Sequence, residues 1–165
     1  MLEMIESYFS GINELLAVFI VSMMPIVELR GAIPFGVALG LDWLSVYIVC
    51  VIGNIIPVPF IILFFRPIIN FLEGTKLFGK LAQKIMNRTT SKARDFSKYK
   101  MLGLFAFVAI PLPGTGAWTG SAIAALLKMR LKHAIPTIIA GVCVSGILMM
   151  GISYGFGELF SHFFM

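Results

Sequence analysis

Two runs of this 165-residue sequence carry no charged residue: WLSVYIVCVIGNIIPVPFIILFF at 43–65 and AIPTIIAGVCVSGILMMGISYGFG at 134–157. Each exceeds the roughly 20 residues a helix needs to cross a hydrocarbon core of about 30 Å. A helix satisfies every backbone group within one segment, so these runs read as spanning helices. The composition agrees, with 59% hydrophobic and 13% charged residues; soluble domains average about 45–50% and about 25%. So little charge cannot cover a globule of this size. The chain, 1–165, therefore reads as a single all-α integral membrane domain. A net charge of +5 would alone be compatible with nucleic acid. The cations cluster beside apolar spans, however, without an exposed stacking surface, and no nucleic-acid partner is expected. Cys50 and Cys143 each lie in an apolar run with no ligand-spaced Cys or His, so neither a disulfide, a metal nor a cofactor is indicated. The N-terminus, Met-Leu-Glu-Met-Ile-Glu, lacks the basic region of a signal peptide, and the chain is expected to be retained whole.

Two further apolar tracts are interrupted. Tract 12–41 is broken by Pro25, Gly31 and Pro34, with Glu28 and Arg30 between them; tract 101–127 is broken at Pro111-Leu-Pro-Gly-Thr-Gly116. The arms on either side are roughly 10–13 residues, or about 15–20 Å, too short to cross. Each tract reads as a re-entrant hairpin or as one kinked span. Charge placement favours the hairpins. Of 13 Lys and Arg, nine lie from Arg66 to Lys100 and three more are Lys128, Arg130 and Lys132. With hairpins, both basic clusters are cytoplasmic and both termini outside, which satisfies the positive-inside rule. The expected architecture is an inverted repeat: hairpin 12–41 and span 43–65 in residues 1–66, then hairpin 101–127 and span 134–157 in residues 101–165. Val49-Cys50-Val51-Ile52-Gly53 matches Val142-Cys143-Val144-Ser145-Gly146 at an offset of 93, and Pro25 matches Pro111 at 86. The cytoplasmic linker 67–100 places Lys76, Lys80, Lys84 and Arg88 at helical spacing beside Leu77, Leu81 and Ile85. That amphipathic pattern suits the anionic leaflet surface, and also a merely solvated basic helix.

Broken segments at matching places in two inverted halves point to a binding site near the midplane. The candidate substrate and proton pathway is Glu28, Arg30, Gly31, Pro34, Asn54, Pro111, Pro113, Gly114, Thr115, Gly116 and Trp118. Half-helix N-termini there attract anions through unpaired N–H groups and the helix dipole. Charges within a bilayer are costly, so Glu28 and Arg30 need a reason. They either pair with each other, or Arg30 forks around phosphate while Glu28 carries a proton, which a carboxyl out of water holds more readily. Asn54 is a site ligand or a polar partner for a neighbouring helix. Gly36/Gly40, Gly116/Gly120 and Gly151/Gly155 form GxxxG pairs suited to close packing within the chain or across a homodimer. Nothing pairs a nucleophile with a base and no phosphate-cradling loop is present, so no enzyme is expected.

Glu28-Leu-Arg-Gly-Ala-Ile-Pro34 together with Pro111-Leu-Pro-Gly-Thr-Gly-Ala-Trp118 resembles the small multidrug export protein family, relatives of the DedA (SNARE-associated, VTT-domain) membrane proteins. The resemblance covers nearly the whole chain. It implies two re-entrant hairpins packed with spanning helices in the bacterial cytoplasmic (inner) membrane. DedA relatives are implicated in moving lipids, including polyprenyl phosphates, with acidic and basic membrane residues required; Glu28 and Arg30 match such residues by position. The arginines that DedA proteins carry after the second hairpin have no clear counterpart here, Lys128 and Arg130 being poor matches. Three functions follow as expectations: translocation of an anionic lipid or lipid-linked phosphate coupled to protons, export of small cationic amphipathic compounds, or a non-transporting scaffold acting through the linker cations and membrane lipids.

Overall fold

The computed structural model describes the backbone of residues 2–73 and 93–164 and the side chains of 13–68, 71 and 99–155. Lys76, Lys80, Lys84 and Arg88 lie outside the described residues. The described residues form seven helices: α1 (Leu2–Met23), α2 (Glu28–Ala38), α3 (Trp43–Ile55), α4 (Pro57–Glu73), α5 (Ala93–Ala109), α6 (Ala117–Leu126) and α7 (Leu131–Phe164). The all-helical class expected from the sequence holds.

Two stretches are long and apolar enough to cross a membrane, Trp43–Ile68 and Leu131–Gly155. The first joins α3 to α4 with a single-residue interruption at Ile56, whose N–H still reaches the Ile52 carbonyl at 3.1 Å. Pro57 and Pro59 supply no N–H, which explains the seam there. Asp42 starts α3 by accepting from the Ser45 N–H at 3.1 Å, an ordinary N-cap. The second interrupted tract divides at its expected break, whereas the first divides only at 24–27: α2 runs on through Gly31 and Pro34, which were expected to break it. Their outer helices run further than the apolar tracts do, α1 starting at Leu2 and α5 at Ala93. Apolar patterning marks the length a helix can bury, whereas the helix itself continues while no proline or cap stops it.

Packing is pairwise. α1 lies on α3 and α5 on α7, while α2 reaches across to α7 and α6 to α4. Glycines allow the close approaches. A Cβ on Gly53 would run into Ser22, and one on Gly141 would sit 2.8 Å from Val108 Cβ. The core gathers Val18, Leu29, Ile33, Val46, Val58, Ile62, Val108, Ile138 and Val142. Outward faces are also apolar, with Phe60 70%, Phe64 68% and Ile147 61% exposed. Such a surface belongs against lipid.

Side-chain bonds identify the two ends of the bundle. Lys100 Nζ donates to the Leu127 carbonyl at 3.1 Å, and Arg66 Nη2 to the Met129 carbonyl at 2.7 Å. The middle of α5, the ends of α6 and of the first span, and the start of α7 therefore meet at one basic end. At the other end the Tyr154 hydroxyl donates to the Leu41 carbonyl at 3.2 Å, bringing the far part of α7 to the start of the first span.

Candidate functional site

The two chain breaks meet. Residues Pro25–Gly31 and Pro111–Thr115 face each other across a cleft of about 550 Å³, closed further by Thr119 and Met149. Broken helices leave orphan N–H and C=O groups that a buried site must satisfy. Here each break is capped by the other.

The break after α5 exposes carbonyls, and Arg30 takes them. Its Nη2 donates to the Val108 carbonyl at 3.2 Å and to the Ile110 carbonyl at 3.1 Å. The start of α6 exposes N–H groups, and Glu28 takes one: its Oε1 accepts from the Trp118 backbone N–H at 3.0 Å. The Trp118 indole N–H returns the contact, donating to the Met23 carbonyl at the end of α1 at 3.2 Å. Positive charge thus sits at a helix C-terminus and negative charge at an N-terminus, as the helix dipole favours.

Glu28 and Arg30 also face each other, with Arg30 Nη1 and Glu28 Oε2 3.7 Å apart. Glu28 is 4% exposed. Its Oε2 and the Arg30 Nε are buried without a hydrogen-bond partner among the described residues, so the pair keeps unused bonding capacity. Backbone geometry is unusual on both sides. Glu28 has φ +50, a left-handed conformation rare outside glycine; it costs on the order of 1–3 kcal/mol and persists where the surroundings impose it. Gly116, with φ +145, precedes α6, and a Cβ there would overlap the Glu28 carboxylate and lie 2.8 Å from Arg30 Nη1. Only glycine lets that carboxylate approach. Thr115 Oγ1 donates within its own loop towards the Ile110 and Leu112 carbonyls, both at 2.9 Å.

Of the residues singled out in the sequence, Glu28, Arg30, Gly31, Pro111, Pro113, Gly114 and Thr115 line the cleft, while Gly116 and Trp118 form its floor contacts with Glu28. Pro34 and Asn54 do not line it. Pro34 lies inside α2 on an exposed face. Asn54 is fully buried with neither amide atom hydrogen-bonded among the described residues, so neither role expected for it is seen. The sequence reading missed Pro25, Ile26, Val27, Leu112, Thr119 and Met149 as lining, and the carbonyls of Met23, Val108 and Ile110. Backbone carbonyls leave no mark in a sequence, and Met149 reaches the cleft from α7 only through tertiary packing.

The family model described as "Putative small multi-drug export protein" matches residues 28–148. The match starts at Glu28 and contains both tip motifs, Glu28–Pro34 and Pro111–Trp118. The chain belongs to this family. Comparison with curated proteins and with solved structures finds no match. Family membership and the apolar helices together make this a membrane protein of the export family, and the tip cleft is where two segments inside the matched region meet.

Proposed function

We propose that this export-family protein is a proton-linked transporter of an anionic amphiphile, a lipid or lipid-linked phosphate, bound at the tip cleft. The observation that carries the reading is that the Glu28 carboxylate occupies the donors an anion would use, the Trp118 N–H and the Arg30 guanidinium. A carboxylate there is an internal stand-in for a ligand's phosphate. When Glu28 takes up a proton it loses its charge, which weakens its hold on both groups. An incoming anion then binds the same N–H and guanidinium, and its release lets Glu28 ionise and recap α6. Proton and anion are thereby linked through one carboxyl.

Re-entrant hairpins in an inverted repeat are part of this proposal. α2 is 11 residues and α6 is 10, about 16 and 15 Å at 1.5 Å per residue. Arms of that length from opposite faces meet near the middle of a core of about 30 Å. The contact between Lys100 and Leu127 supports α5 and α6 leaving and returning at one face. Packing also repeats: Gly53 lies against Phe19 O and Gly141 against Phe105 O, partners separated by the same 86 positions as Pro25 and Pro111. The matched Gly146 packs instead against Tyr47 and Leu29, so like contacts pair the outer arms at 86 and the span glycines Gly53 and Gly141 at 88, not at the 93 of the Cys50/Cys143 match. With the basic end cytoplasmic in a bacterial inner membrane, the cleft lies at mid-depth.

Export of small cationic amphipathic compounds is the second reading, favoured by the family's description and by the apolar walls at Pro25, Ile26, Val27, Leu112 and Pro113. Flux of a fluorescent dialkyl phosphate in proteoliposomes separates the two, with a lipophilic cation as the comparison. The anionic reading expects pH-gradient-dependent flux of the phosphate in native protein, lost in Glu28→Gln and Arg30→Ala when both remain folded by size exclusion and circular dichroism. Cation flux that Arg30→Ala leaves intact, with no phosphate flux, would establish the export reading instead.

A further inference from the structure

A second groove lies away from the tips, at the basic end between α5 and α6. It measures about 330 Å³, its walls include Gly103, Phe107, Ile123 and Leu127, and Tyr99 and Lys100 stand at its mouth. Three observations bear on what fills it. The walls are apolar, on a molecule whose outer surface already faces lipid. Gly103 helps to make the groove: it lies within α5, and a Cβ built there would meet nothing within 4 Å. Gly151 and Gly155, in the outer part of α7, also meet nothing, while the other described helix glycines each press on a neighbour. Glycine is disfavoured inside a helix, and at Gly103 no internal contact demands it; what its small size provides is open volume in the groove.

The third observation is charge. The Lys100 ammonium is held at the mouth by its bond to the Leu127 carbonyl, and Lys128 and Arg130 follow directly as exposed residues. An apolar slot lined by Lys100 and Leu127, with Lys128 and Arg130 next along the chain, matches an anionic phospholipid, its acyl chain in the slot and its phosphate on the cations. We propose that the groove between α5 and α6 is a binding site for one anionic phospholipid, its chain against Gly103, Phe107 and Ile123 and its phosphate at Lys100, Lys128 and Arg130. This site is separate from the tip cleft and does not depend on what the cleft carries.

The test is native mass spectrometry of delipidated full-length protein titrated with phosphatidylglycerol or phosphatidylcholine. Native protein is expected to bind one phosphatidylglycerol at least about ten-fold more tightly than phosphatidylcholine, since several cations act on the head group. Gly103→Leu, which extends into open space, is expected to abolish that binding event. Ile123→Phe, narrowing the groove from the other helix, gives the same result if the leucine variant fails to fold. Lys128→Gln with Arg130→Gln is expected to remove the preference between the two lipids while chain binding survives. Equal affinity for both lipids in native protein, or unchanged phosphatidylglycerol binding in the folded filling variants, would overturn the proposal. So would loss of a dimer or of a co-purifying protein in Gly103→Leu with lipid binding intact.

Discussion

At the first break the chain turns through residues 24–27 and goes on bonding to itself, the Glu28 N–H reaching the Met24 carbonyl at 3.0 Å and the Gly31 N–H the Val27 carbonyl at 3.0 Å. At the second break, residues 110–116 leave helical geometry, and the carbonyl of Val108 and the N–H of Trp118 find partners only on the other segment. One tip bonds mostly to itself, save the Met23 carbonyl that accepts from the Trp118 indole, and sends out charged side chains. The other has few polar side chains and presents bare backbone. Each charge is tolerated because it terminates a broken helix, and each broken helix is tolerated because a charge terminates it. Two features that are individually costly in a membrane offset each other.

The contrast is broken most severely at Gly116. Gly116→Ala forces a Cβ into the Glu28 carboxylate at φ +145, and we expect a loss of about 3 kcal/mol or more in detergent thermal unfolding. Gly114→Ala, at φ +81 but in open space, is expected to cost only about 1 kcal/mol. Next in size is Glu28→Ala, which uncaps α6 and leaves Arg30 without its counter-charge, for about 2–3 kcal/mol. Glu28→Gln keeps an oxygen for the Trp118 N–H and is expected to cost under about 1 kcal/mol, so the two variants should separate clearly in melting temperature. Thr115→Val loses a hydroxyl that serves only its own loop, about 0.5–1 kcal/mol. Smallest of all is Asn54→Leu. This buried amide has no hydrogen-bond partner among the described residues, and removing it is expected to leave stability unchanged or to raise it; a loss beyond about 2 kcal/mol would show that Asn54 has a partner.

The difference between the tips also explains what could be read from the sequence. Trp43–Ile68 and Leu131–Gly155 were legible because an uncharged run of that length has few alternatives to a spanning helix. The breaks were legible because proline and glycine act locally. Glu28 and Arg30 stood out as charges in apolar surroundings, and they do meet at the site. Their main partners were not legible, because the carbonyls of Val108 and Ile110 and the N–H of Trp118 belong to the backbone and look the same at every position. Asn54 shows the converse: a polar residue in an apolar span draws notice, yet here it touches neither cleft nor partner. The offset of 93 came from residue identity, while the glycines with like contacts, Gly53 and Gly141, lie 88 apart, because packing depends on where a small residue is needed.

The central claim is that the Glu28 carboxylate holds the place of a bound anion, and proton uptake on anion binding tests it most directly. A dialkyl phosphate keeps a single charge between about pH 5 and 8, so protons consumed on its addition to weakly buffered, detergent-solubilised protein come from the protein. The expected result is uptake of up to about one proton per anion bound in native protein, with binding but no uptake in Glu28→Gln. Saturable binding to native protein without uptake, or equal uptake in Glu28→Gln, would contradict the claim and leave Glu28 as a structural cap alone.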